Sequence, residues 1–222
     1  MPEFATEREM FDLMAQRLAA SVISDILDAL GFRDQVMRPK IRPLYPEALV
    51  VGRAMPVLYA EVFEVPEKPY QMEIEVVDSL KPDDVLVAYA PITAKAALWG
   101  SILSTAAKAR GARGIVIEGM TRDVKQITSM TFPVFATGVS PLDANGRLRV
   151  FAYRCAIECG GVLVEPGDII FGDADGVVVI PQDVAAETVN EALRKVEAEH
   201  LTEEELKKGT LLREAYAKYG VL

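Results

Sequence analysis

The sequence has few cysteine, histidine and tryptophan residues, and it has no long continuous apolar run. Its 222 residues include two cysteines, one histidine and one tryptophan. No stretch approaches the roughly 18 consecutive apolar residues that a membrane-spanning helix needs. The N-terminus, MPEFATEREMFDLM, has neither the basic region nor the apolar region of a secretion signal. We therefore expect a cytoplasmic protein with no membrane partner.

Charge and glycine spacing argue against two further classes of protein. The net charge is −9, and lysine and arginine are scattered rather than clustered, so a nucleic-acid partner is not expected. Neither a GxxxxGK[ST] phosphate loop nor a strand-GxGxxG-helix fingerprint occurs. The chain thus has no recognisable cradle for a nucleotide or dinucleotide, and a methyltransferase with a glycine-rich cofactor loop is not supported.

The cysteines and the histidine leave little room for thiol or triad chemistry. On a strand, Cys155 and Cys159 would lie on one face roughly 13 Å apart, too far for a disulfide. No further cysteine or histidine is available to complete a metal site with them, so buried thiols that fill core space are the favoured interpretation. His200 lies in a charged C-terminal helix and is the only candidate for a Ser-His-Asp or Cys-His mechanism, which disfavours both.

Hydrophobic periodicity predicts an α/β fold without repeats or a flexible linker, and we expect one domain over residues 1–222. Tetrapeptide 173–176, DADG, starts like a calcium loop, but apolar residues follow where later oxygen ligands are needed, so a hairpin turn explains it better. From residue 147 we expect three or four short strands. The other predicted elements are helices at about 6–30, 72–80 and 182–219, strands at 48–60 (with Pro56 at a bulge or edge), 85–90 and 133–137, and a loop at 62–70.

The stretch at 98–126, LWGSILSTAAKARGARGIVIEGMTRDVKQ, carries the candidate chemistry. Apolar residues from Leu98 to Ala109 recur at a spacing near 3.6, which predicts a helix that Gly111 ends. Residues 115–117 predict a strand covered on both faces. Arg122 and Asp123 follow this strand, at the edge where open α/β sheets bind their ligands.

The start of this helix and the Arg-Asp pair could hold an anion and a metal ion. Arg122 could grip a carboxylate in a bidentate fork. Asp123 supplies one hard oxygen, enough for a Mg²⁺ or Mn²⁺ ion that takes the rest of its shell from water and substrate. Taken alone, an Arg-Asp dipeptide is more often a pair of solvated surface charges. The free backbone N–H groups at the helix start belong to Gly100, Ser101, Ile102 and Leu103.

Three patterns together resemble the RraA-like superfamily from about residue 15 to the end. They are LWGxxLxTAAKARGxxGxVxxGxxRD, CGGVxVxPGDIIxGDADGVVVxP and a C-terminal AxxxYGVL. This superfamily includes 4-hydroxy-4-methyl-2-oxoglutarate aldolases, oxaloacetate decarboxylases and the RraA regulators of ribonuclease E. The resemblance implies an αββα sandwich of the swivelling phosphohistidine-domain type. It also implies a homotrimer or homohexamer (a dimer of trimers) with active sites between subunits.

The resemblance implies roles for particular residues. The carboxylate-binding backbone loop falls on Gly100, Ser101, Ile102 and Leu103. The substrate arginine falls on Arg122 and the metal-binding aspartate on Asp123. A catalytic glutamate from the C-terminal helix of a neighbouring subunit best matches Glu199, with Glu197 as the alternative. A carboxylate on a solvated helix is an equal interpretation of Glu199.

One position departs from the family pattern. Gln126 stands where the aldolases usually have an acidic residue. It adds no negative charge, so we expect weaker metal binding or a less basic metal-bound water, which puts the substrate in question more than the chemistry. Glu118 could compensate or could be a strand-end surface charge. We expect the loop at 62–70 to line the acceptor end of the pocket.

The implied function is a metal-dependent class II lyase that acts on pyruvate-yielding 2-oxo acids. The metal and Arg122 would stabilise the pyruvate enolate, which retro-aldol cleavage and oxaloacetate decarboxylation share. No Schiff-base lysine is needed, and nothing around Lys125 indicates one. The alternatives are an RraA-type regulator that binds a ribonuclease and an idle oligomer that binds a small acid. The regulators typically lack the metal aspartate, so Asp123 favours the enzyme.

Overall fold

A curled mixed sheet of nine strands runs through the computed structural model, which describes residues 4–91 and 93–221. Its order is β1-β6-β5-β3-β2-β10-β11, with β4 paired to β5 and β7 paired to β2, while β8 and β9 form a separate hairpin. The strands are β1 (Arg42–Pro43), β2 (Val50–Glu61), β3 (Asp84–Tyr89), β4 (Ala97–Trp99), β5 (Gly114–Thr121), β6 (Val134–Val139), β7 (Leu148–Tyr153), β8 (Ile157–Cys159), β9 (Val162–Val164), β10 (Ile169–Gly172) and β11 (Val177–Ile180).

Helices cover both outer faces of this sheet. The helices are α1 (Glu7–Arg17), α2 (Ala20–Ala29), α3 (Gln71–Asp78), α4 (Ser101–Ala109), α5 (Val124–Ser129), α6 (Ala185–Lys207) and α7 (Leu212–Tyr219). Gly31, with φ 90°, follows α2, and Gly209, with φ 94°, separates α6 from α7. No helix among the described residues is both long enough and apolar enough to cross a lipid bilayer.

The buried side chains form three clusters that follow the layers. One cluster joins α3, α4 and α5 to β3 and β5, for example through Ile127 and Ile115. A second joins α1, α2 and α6 to β10 and β11, with Phe11 and Phe171 among its members. The third lies inside the curl and is closed by the β8–β9 hairpin. The two sides of the curled sheet form the two inner layers, and the helices form the two outer layers. This order of helix, sheet, sheet and helix is the predicted αββα sandwich.

The parallel centre of the sheet, β2-β3-β5-β6, explains the apolar runs of the sequence. Residues 115–117 are buried, as predicted for a strand covered on both faces. Pro56 lies in β2 between the stretch paired with β10 and the stretch paired with β7. A residue without an N–H group is tolerated there because the antiparallel ladder on that side of β2 is interrupted.

The central helix begins two or three residues after its predicted start near Leu98 or Trp99. Leu98 and Trp99 belong to β4, and α4 begins at Ser101 after an extended Gly100. The carbonyl of Trp99 accepts hydrogen bonds from the backbone N–H of Arg122 (2.9 Å) and the hydroxyl of Thr121 (3.1 Å). These bonds hold residues 97–99 as a strand against the end of β5. This pairing stabilises the strand more than the helical spacing of the apolar residues favours a helix. Gly111, with φ 84°, ends the helix as predicted.

The C-terminal half contains more strands than predicted. Five strands, not three or four, follow residue 147. Tetrapeptide 173–176 is the predicted hairpin turn, because Gly172 pairs with Val177 on either side of it. Both cysteines are free thiols, and Cys159 is buried in β8 as predicted, whereas Cys155 is only half-buried. The assignment of the whole chain to one domain stays a prediction.

Candidate functional site

A cavity of about 290 Å³ lies at the N-terminal end of α4, beside the end of β5. Five of the predicted site residues line it: Gly100, Ile102, Leu103, Arg122 and Asp123. Ser101, another of the predicted residues, is hydrogen-bonded to Asp123. The fold brings these residues together because β4 places the start of α4 against the residues that follow β5. The structure therefore brings the helix start and the Arg-Asp pair to one cavity, and the roles assigned to these residues stay predictions.

Asp123 is fixed by the first residue of α4. Both the backbone N–H and the hydroxyl of Ser101 donate to Asp123 Oδ2, each at 2.9 Å. The backbone hydrogen bond from Ser101 is the largest effect on the carboxyl group, and together these bonds lower the pKa of Asp123. The carboxylate is therefore ionised at neutral pH and carries a full negative charge into the cavity.

Asp123 also holds an uncommon backbone conformation. Its φ of 60° and ψ of 37° lie in the left-handed region, between the end of β5 and the start of α5. Aspartate and asparagine tolerate this region better than other residues with a side chain. This left-handed turn after β5 directs the Asp123 carboxylate toward the first residue of α4.

Gly100 is required where the two segments meet. A Cβ atom at this position would lie 2.7 Å from Asp123 Oδ2 and 3.2 Å from Arg122 Cγ. The backbone of Gly100 is extended, so the requirement is for space rather than for a left-handed conformation. Any side chain here would push the Asp123 carboxylate away from Ser101.

The start of α4 leaves backbone donors free beside this carboxylate. Ser104 is the first residue whose N–H is bonded within the helix, to the carbonyl of Gly100 at 3.0 Å. The N–H groups of Ile102 and Leu103 therefore have no partner inside the helix. Together with the positive end of the helix dipole, they can receive an anion.

Arg122 is oriented by an acidic side chain that the sequence prediction missed. Arg122 Nη1 lies 3.2 Å from Asp143 Oδ1, in the connection between β6 and β7. The hydroxyl of Tyr70 donates to the other carboxylate oxygen of Asp143, and this bond raises the pKa of Tyr70 to about 12. Tyr70 ends the loop predicted at 62–70 and lines the cavity. Nothing in the local sequence around Asp143 marks it for this position.

A buried carboxyl group, also missed from sequence, completes the cavity wall. Glu73 in α3 is 8 % exposed, and the hydroxyl of the buried Tyr59 donates to its Oε1 at 3.0 Å. Burial raises the pKa of Glu73 to about 7, although the hydrogen bond from Tyr59 and the charge of Arg122 work in the opposite direction. The signal in the sequence was a single charge on the apolar face of a helix, which is weak on its own.

Other candidate acidic residues lie elsewhere in the described chain. Glu118 accepts from Arg38 Nη1 (3.0 Å) and from the backbone N–H of Gly160 (2.7 Å), so it ties β5 to the β8–β9 hairpin and does not line the cavity. Glu199 lies on α6 with Lys195 Nζ at 3.7 Å, and it does not line the cavity either. Its predicted role from a neighbouring subunit stays a prediction.

The residues around Asp123 fit a divalent ion that is completed by substrate and water. Among residues 4–91 and 93–221, no group of three or more histidine, cysteine or acidic side chains could form a metal cage. Both hydrogen bonds from Ser101 go to Asp123 Oδ2, and within the same ranges none is recorded to Oδ1. A single ionised carboxylate with one free oxygen suits Mg²⁺ or Mn²⁺, which keep several water ligands.

Comparisons with known proteins point to one family. The family model described as Aldolase/RraA (RraA-like) matches residues 20–179. The chain is 42 % identical over 118 residues to uncharacterized protein MJ0644 of Methanocaldococcus jannaschii, a match that covers 53 % of this chain and 56 % of that protein. It is 29 % identical over 199 residues to the "Putative 4-hydroxy-4-methyl-2-oxoglutarate aldolase" of Halalkalibacterium halodurans, with 90 % of each chain covered.

A further relative is much longer than this chain. Protein DlpA of Legionella pneumophila is 32 % identical over 201 residues, which are 89 % of this chain and 32 % of DlpA. The chain therefore spans about half the length of MJ0644 and a third of the length of DlpA.

Solved structures share the architecture. The crystal structure of Streptomyces coelicolor RraAS2, described as an unusual member of the RNase ES inhibitor RraA protein family, superposes with a TM-score of 0.78 at 26 % identity. That match covers 88 % of this chain and 97 % of RraAS2.

Proposed function

This chain belongs to the Aldolase/RraA family, and we propose that it is a divalent-metal-dependent carbon–carbon lyase that releases pyruvate from 2-oxo acids. One observation carries the proposal. The free N–H groups at the start of α4, the guanidinium of Arg122 and the ionised carboxylate of Asp123 meet in one cavity. An anion-binding end next to a single hard oxygen ligand suits a 2-oxo acid, which has a carboxylate beside a keto group.

The substrate carboxylate binds at the helix start. The N–H groups of Ile102 and Leu103 and the fork of Arg122 donate to its two oxygens. Asp143 and Tyr70 hold Arg122 in place from the other side, so that less side-chain entropy is lost when the carboxylate binds.

Asp123 would hold a Mg²⁺ or Mn²⁺ ion near the keto group. When bound, such an ion would act as a Lewis acid that stabilises negative charge on the keto oxygen. The two hydrogen bonds from Ser101 hold Asp123 Oδ2 and so fix the orientation of the whole carboxylate. The other oxygen, Oδ1, is then held in one direction, where it could bind the ion. Gln126 is exposed on α5 and adds no negative charge to the group.

The reaction breaks the bond between C3 and C4 of the substrate. Its electron pair moves into the C2–C3 bond, and the resulting enolate charge on the C2 oxygen lies within reach of Arg122. Retro-aldol cleavage of 4-hydroxy-4-methyl-2-oxoglutarate and decarboxylation of oxaloacetate both form this enolate, and we propose that the site supports one or both. No covalent lysine is required, and Lys125, the nearest candidate, is exposed.

We also propose that the working form is a homotrimer or a dimer of trimers with Glu199 supplied across the subunit interface. Glu199 lies on α6 and does not line the cavity of its own subunit, which is compatible with a role in the site of a neighbour. Ile74 and Ile102 both line the cavity and are 54 % and 81 % exposed, and adjoining exposed apolar residues are typical of a surface that another chain covers.

A second candidate is a regulator that binds a ribonuclease and performs no chemistry. The likeness to RraAS2, at 26 % identity over most of both chains, favours it. The ionised Asp123 in a formed cavity favours the enzyme, because a docking protein has no need of it.

Thermal melting separates these functions. We expect Mn²⁺ together with oxalate, an analogue of the enolate, to raise the melting temperature, since a ligand that binds only the folded state stabilises it by mass action. Asp123→Asn should remove the shift that depends on Mn²⁺. If the wild-type protein shows no shift at millimolar ligand, the site does not bind a 2-oxo acid with metal, and the regulator becomes the better description.

A further inference from the structure

Glu73 is a charged residue in a position where charge is costly. It lies in the first turn of α3 and is 8 % exposed. Among residues 4–91 and 93–221, its recorded hydrogen-bond partner is the hydroxyl of Tyr59, which donates to Oε1 at 3.0 Å. A carboxyl group with one partner in such surroundings destabilises the fold when ionised, so its presence calls for a function.

Glu73 stands between two cavities. It lines the cavity that holds Arg122 and Asp123, and it lines an adjoining cavity of about 460 Å³. Tyr70 is the other residue common to both linings, so the two residues form the boundary. Lys68 and Arg149 also line the second cavity and would suit an anionic group there.

This position fits the middle of an extended 2-oxo acid. With the carboxylate at the start of α4 and the keto group near Asp123, the chain beyond C3 must leave the first cavity. The second cavity opens past Glu73, so the bond to be broken would pass this carboxyl group. The group is also able to change its protonation state near neutral pH, because burial raises its pKa to about 7.

We propose that Glu73 is a further catalytic residue of the proposed lyase, one that moves a proton from the C4 hydroxyl to C3. The inference rests on the proposed function. It assigns proton transfer to a residue of the same subunit, and it assigns the second cavity to the part of the substrate that leaves as a carbonyl compound.

The step is balanced without another reactant. The Glu73 carboxylate accepts the proton of the C4 hydroxyl while the C3–C4 bond breaks. The O–H electron pair becomes the C4 carbonyl bond, and the C3–C4 pair becomes the C2–C3 double bond of the enolate. After the carbonyl product leaves, Glu73 returns the same proton to C3, the C2 carbonyl forms again, and Glu73 is a carboxylate once more.

The first test compares Glu73→Gln with Glu75→Gln. Glu75 lies on the same helix, accepts a hydrogen bond from Tyr153 at 2.6 Å, and lines neither cavity. For Glu73→Gln we expect kcat for pyruvate release from 4-hydroxy-4-methyl-2-oxoglutarate to fall about 10²- to 10⁴-fold, the usual contribution of a general acid–base. Glu75→Gln should match the wild type.

A second readout isolates the transfer at C3. The wild type should exchange the methyl hydrogens of pyruvate for deuterium in D₂O, measured by NMR, and Glu73→Gln should exchange them at least tenfold more slowly. Binding of oxalate should be unchanged in this variant. A loss of exchange with normal binding separates a catalytic group from one that only shapes the pocket.

Tyr59→Phe tests the same residue without removing it. The titratable and charged groups that line the two cavities together with Glu73 are Tyr59, Glu67, Lys68, Tyr70, Arg122, Asp123, Asp143 and Arg149, and Tyr59 of β2 is hydrogen-bonded to it. The hydrogen bond from Tyr59 lowers the pKa of Glu73, so its loss should move the acidic limb of kcat/KM from about 7 to higher pH.

The outcomes distinguish the two proposals. A wild type that neither releases nor exchanges pyruvate overturns the proposed function and this inference with it. An active wild type whose rate and exchange survive Glu73→Gln overturns the inference alone, as does a Tyr59→Phe variant with an unmoved acidic limb. Loss of both rates in Glu73→Gln with an upward shift in Tyr59→Phe supports it.

Discussion

At the scale of single residues, the site depends on how closely Gly100, Asp123 and Ser101 fit together. Two hydrogen bonds from Ser101 meet on one oxygen of Asp123, and Gly100 passes the same oxygen without room for a side chain. Arg122 is held by Asp143 on the other side. Small changes here should alter binding more than they alter the fold.

Gly100→Ala should destroy the site while the protein stays folded. The new Cβ, 2.7 Å from Asp123 Oδ2, must displace the carboxylate, and overpacking of this kind costs about 1–3 kcal/mol. We expect the melting shift with Mn²⁺ and oxalate to disappear. Gly209→Ala is the control. A Cβ atom added there would have nothing within 4 Å, so this variant adds backbone strain at a φ of 94° without crowding any neighbour. A normal shift in Gly100→Ala would contradict the described packing.

The stability of the protein should depend on pH through Glu73. Its pKa rises from 4.5 to about 7 on folding, so the unfolded chain releases this proton at lower pH than the folded chain does. The contribution is therefore fully present below pH 4.5 and is lost as the pH rises through about 7. Urea unfolding across this range should show a loss of roughly 3 kcal/mol relative to Glu73→Gln. Parallel curves for the two proteins would show that the group is not buried as described.

At the scale of elements, the join between β4 and α4 carries the site. The indole N–H of Trp99 donates to Ser104 Oγ (2.8 Å), and the Ser104 hydroxyl donates to the carbonyl of Gly100 (3.0 Å). All three groups lie at the point where the chain turns from strand to helix. The turn is thereby fixed from inside the core.

Ser104→Ala should loosen this join. It leaves the buried indole N–H of Trp99 unpaired, which costs about 1–3 kcal/mol in the free energy of unfolding. Thr105→Ala is a matched control, since its exposed hydroxyl donates to the carbonyl of Ser101 at 2.8 Å and should change stability by less than about 0.5 kcal/mol. Equal urea midpoints for the two variants would contradict the role of Ser104.

The same join shows how far local sequence could predict the structure. The end of α4 at Gly111 and the buried strand at 115–117 followed from the local pattern, because a left-handed glycine and an apolar run act locally. The start of α4 did not. Leu98 and Trp99 fit a helical period, but hydrogen bonds to residues 22 or more positions away hold them as a strand.

At the scale of the whole molecule, the proposed active site is completed by a neighbouring subunit that covers the exposed cavity. Glu199 does not line the cavity of its own subunit, and Ile102, which does line it, is exposed. A closed ring of subunits would bring α6 of one chain to the cavity of the next. The homotrimer or homohexamer stays a prediction of the family resemblance.

Subunit mixing tests the shared site. Asp123→Asn and Glu199→Gln should each be inactive alone. When the two are unfolded together and refolded as mixed oligomers, roughly a quarter of the sites should contain both native residues and recover activity. Full activity of Glu199→Gln alone would remove Glu199 from the site, and a mixture that stays inactive would place both residues in one subunit.

The site was predicted from sequence only where its residues are close along the chain. Arg122, Asp123 and the start of α4 lie within one motif, so spacing could join them. Asp143 and Tyr70 reach the cavity from two separate loops, and Glu73 reaches it from α3. Their positions depend on tertiary packing, and each is a common residue in an ordinary local context.

The most direct test of the central claim is pyruvate release from 4-hydroxy-4-methyl-2-oxoglutarate and oxaloacetate with Mg²⁺ or Mn²⁺. Asp123→Asn is the variant to compare, because asparagine tolerates the left-handed backbone at φ 60° and removes only the charge. We expect metal-dependent turnover by the wild type and a loss of at least about 10²-fold in the variant. Turnover that is independent of metal, or equal in Asp123→Asn, would contradict the proposed active site.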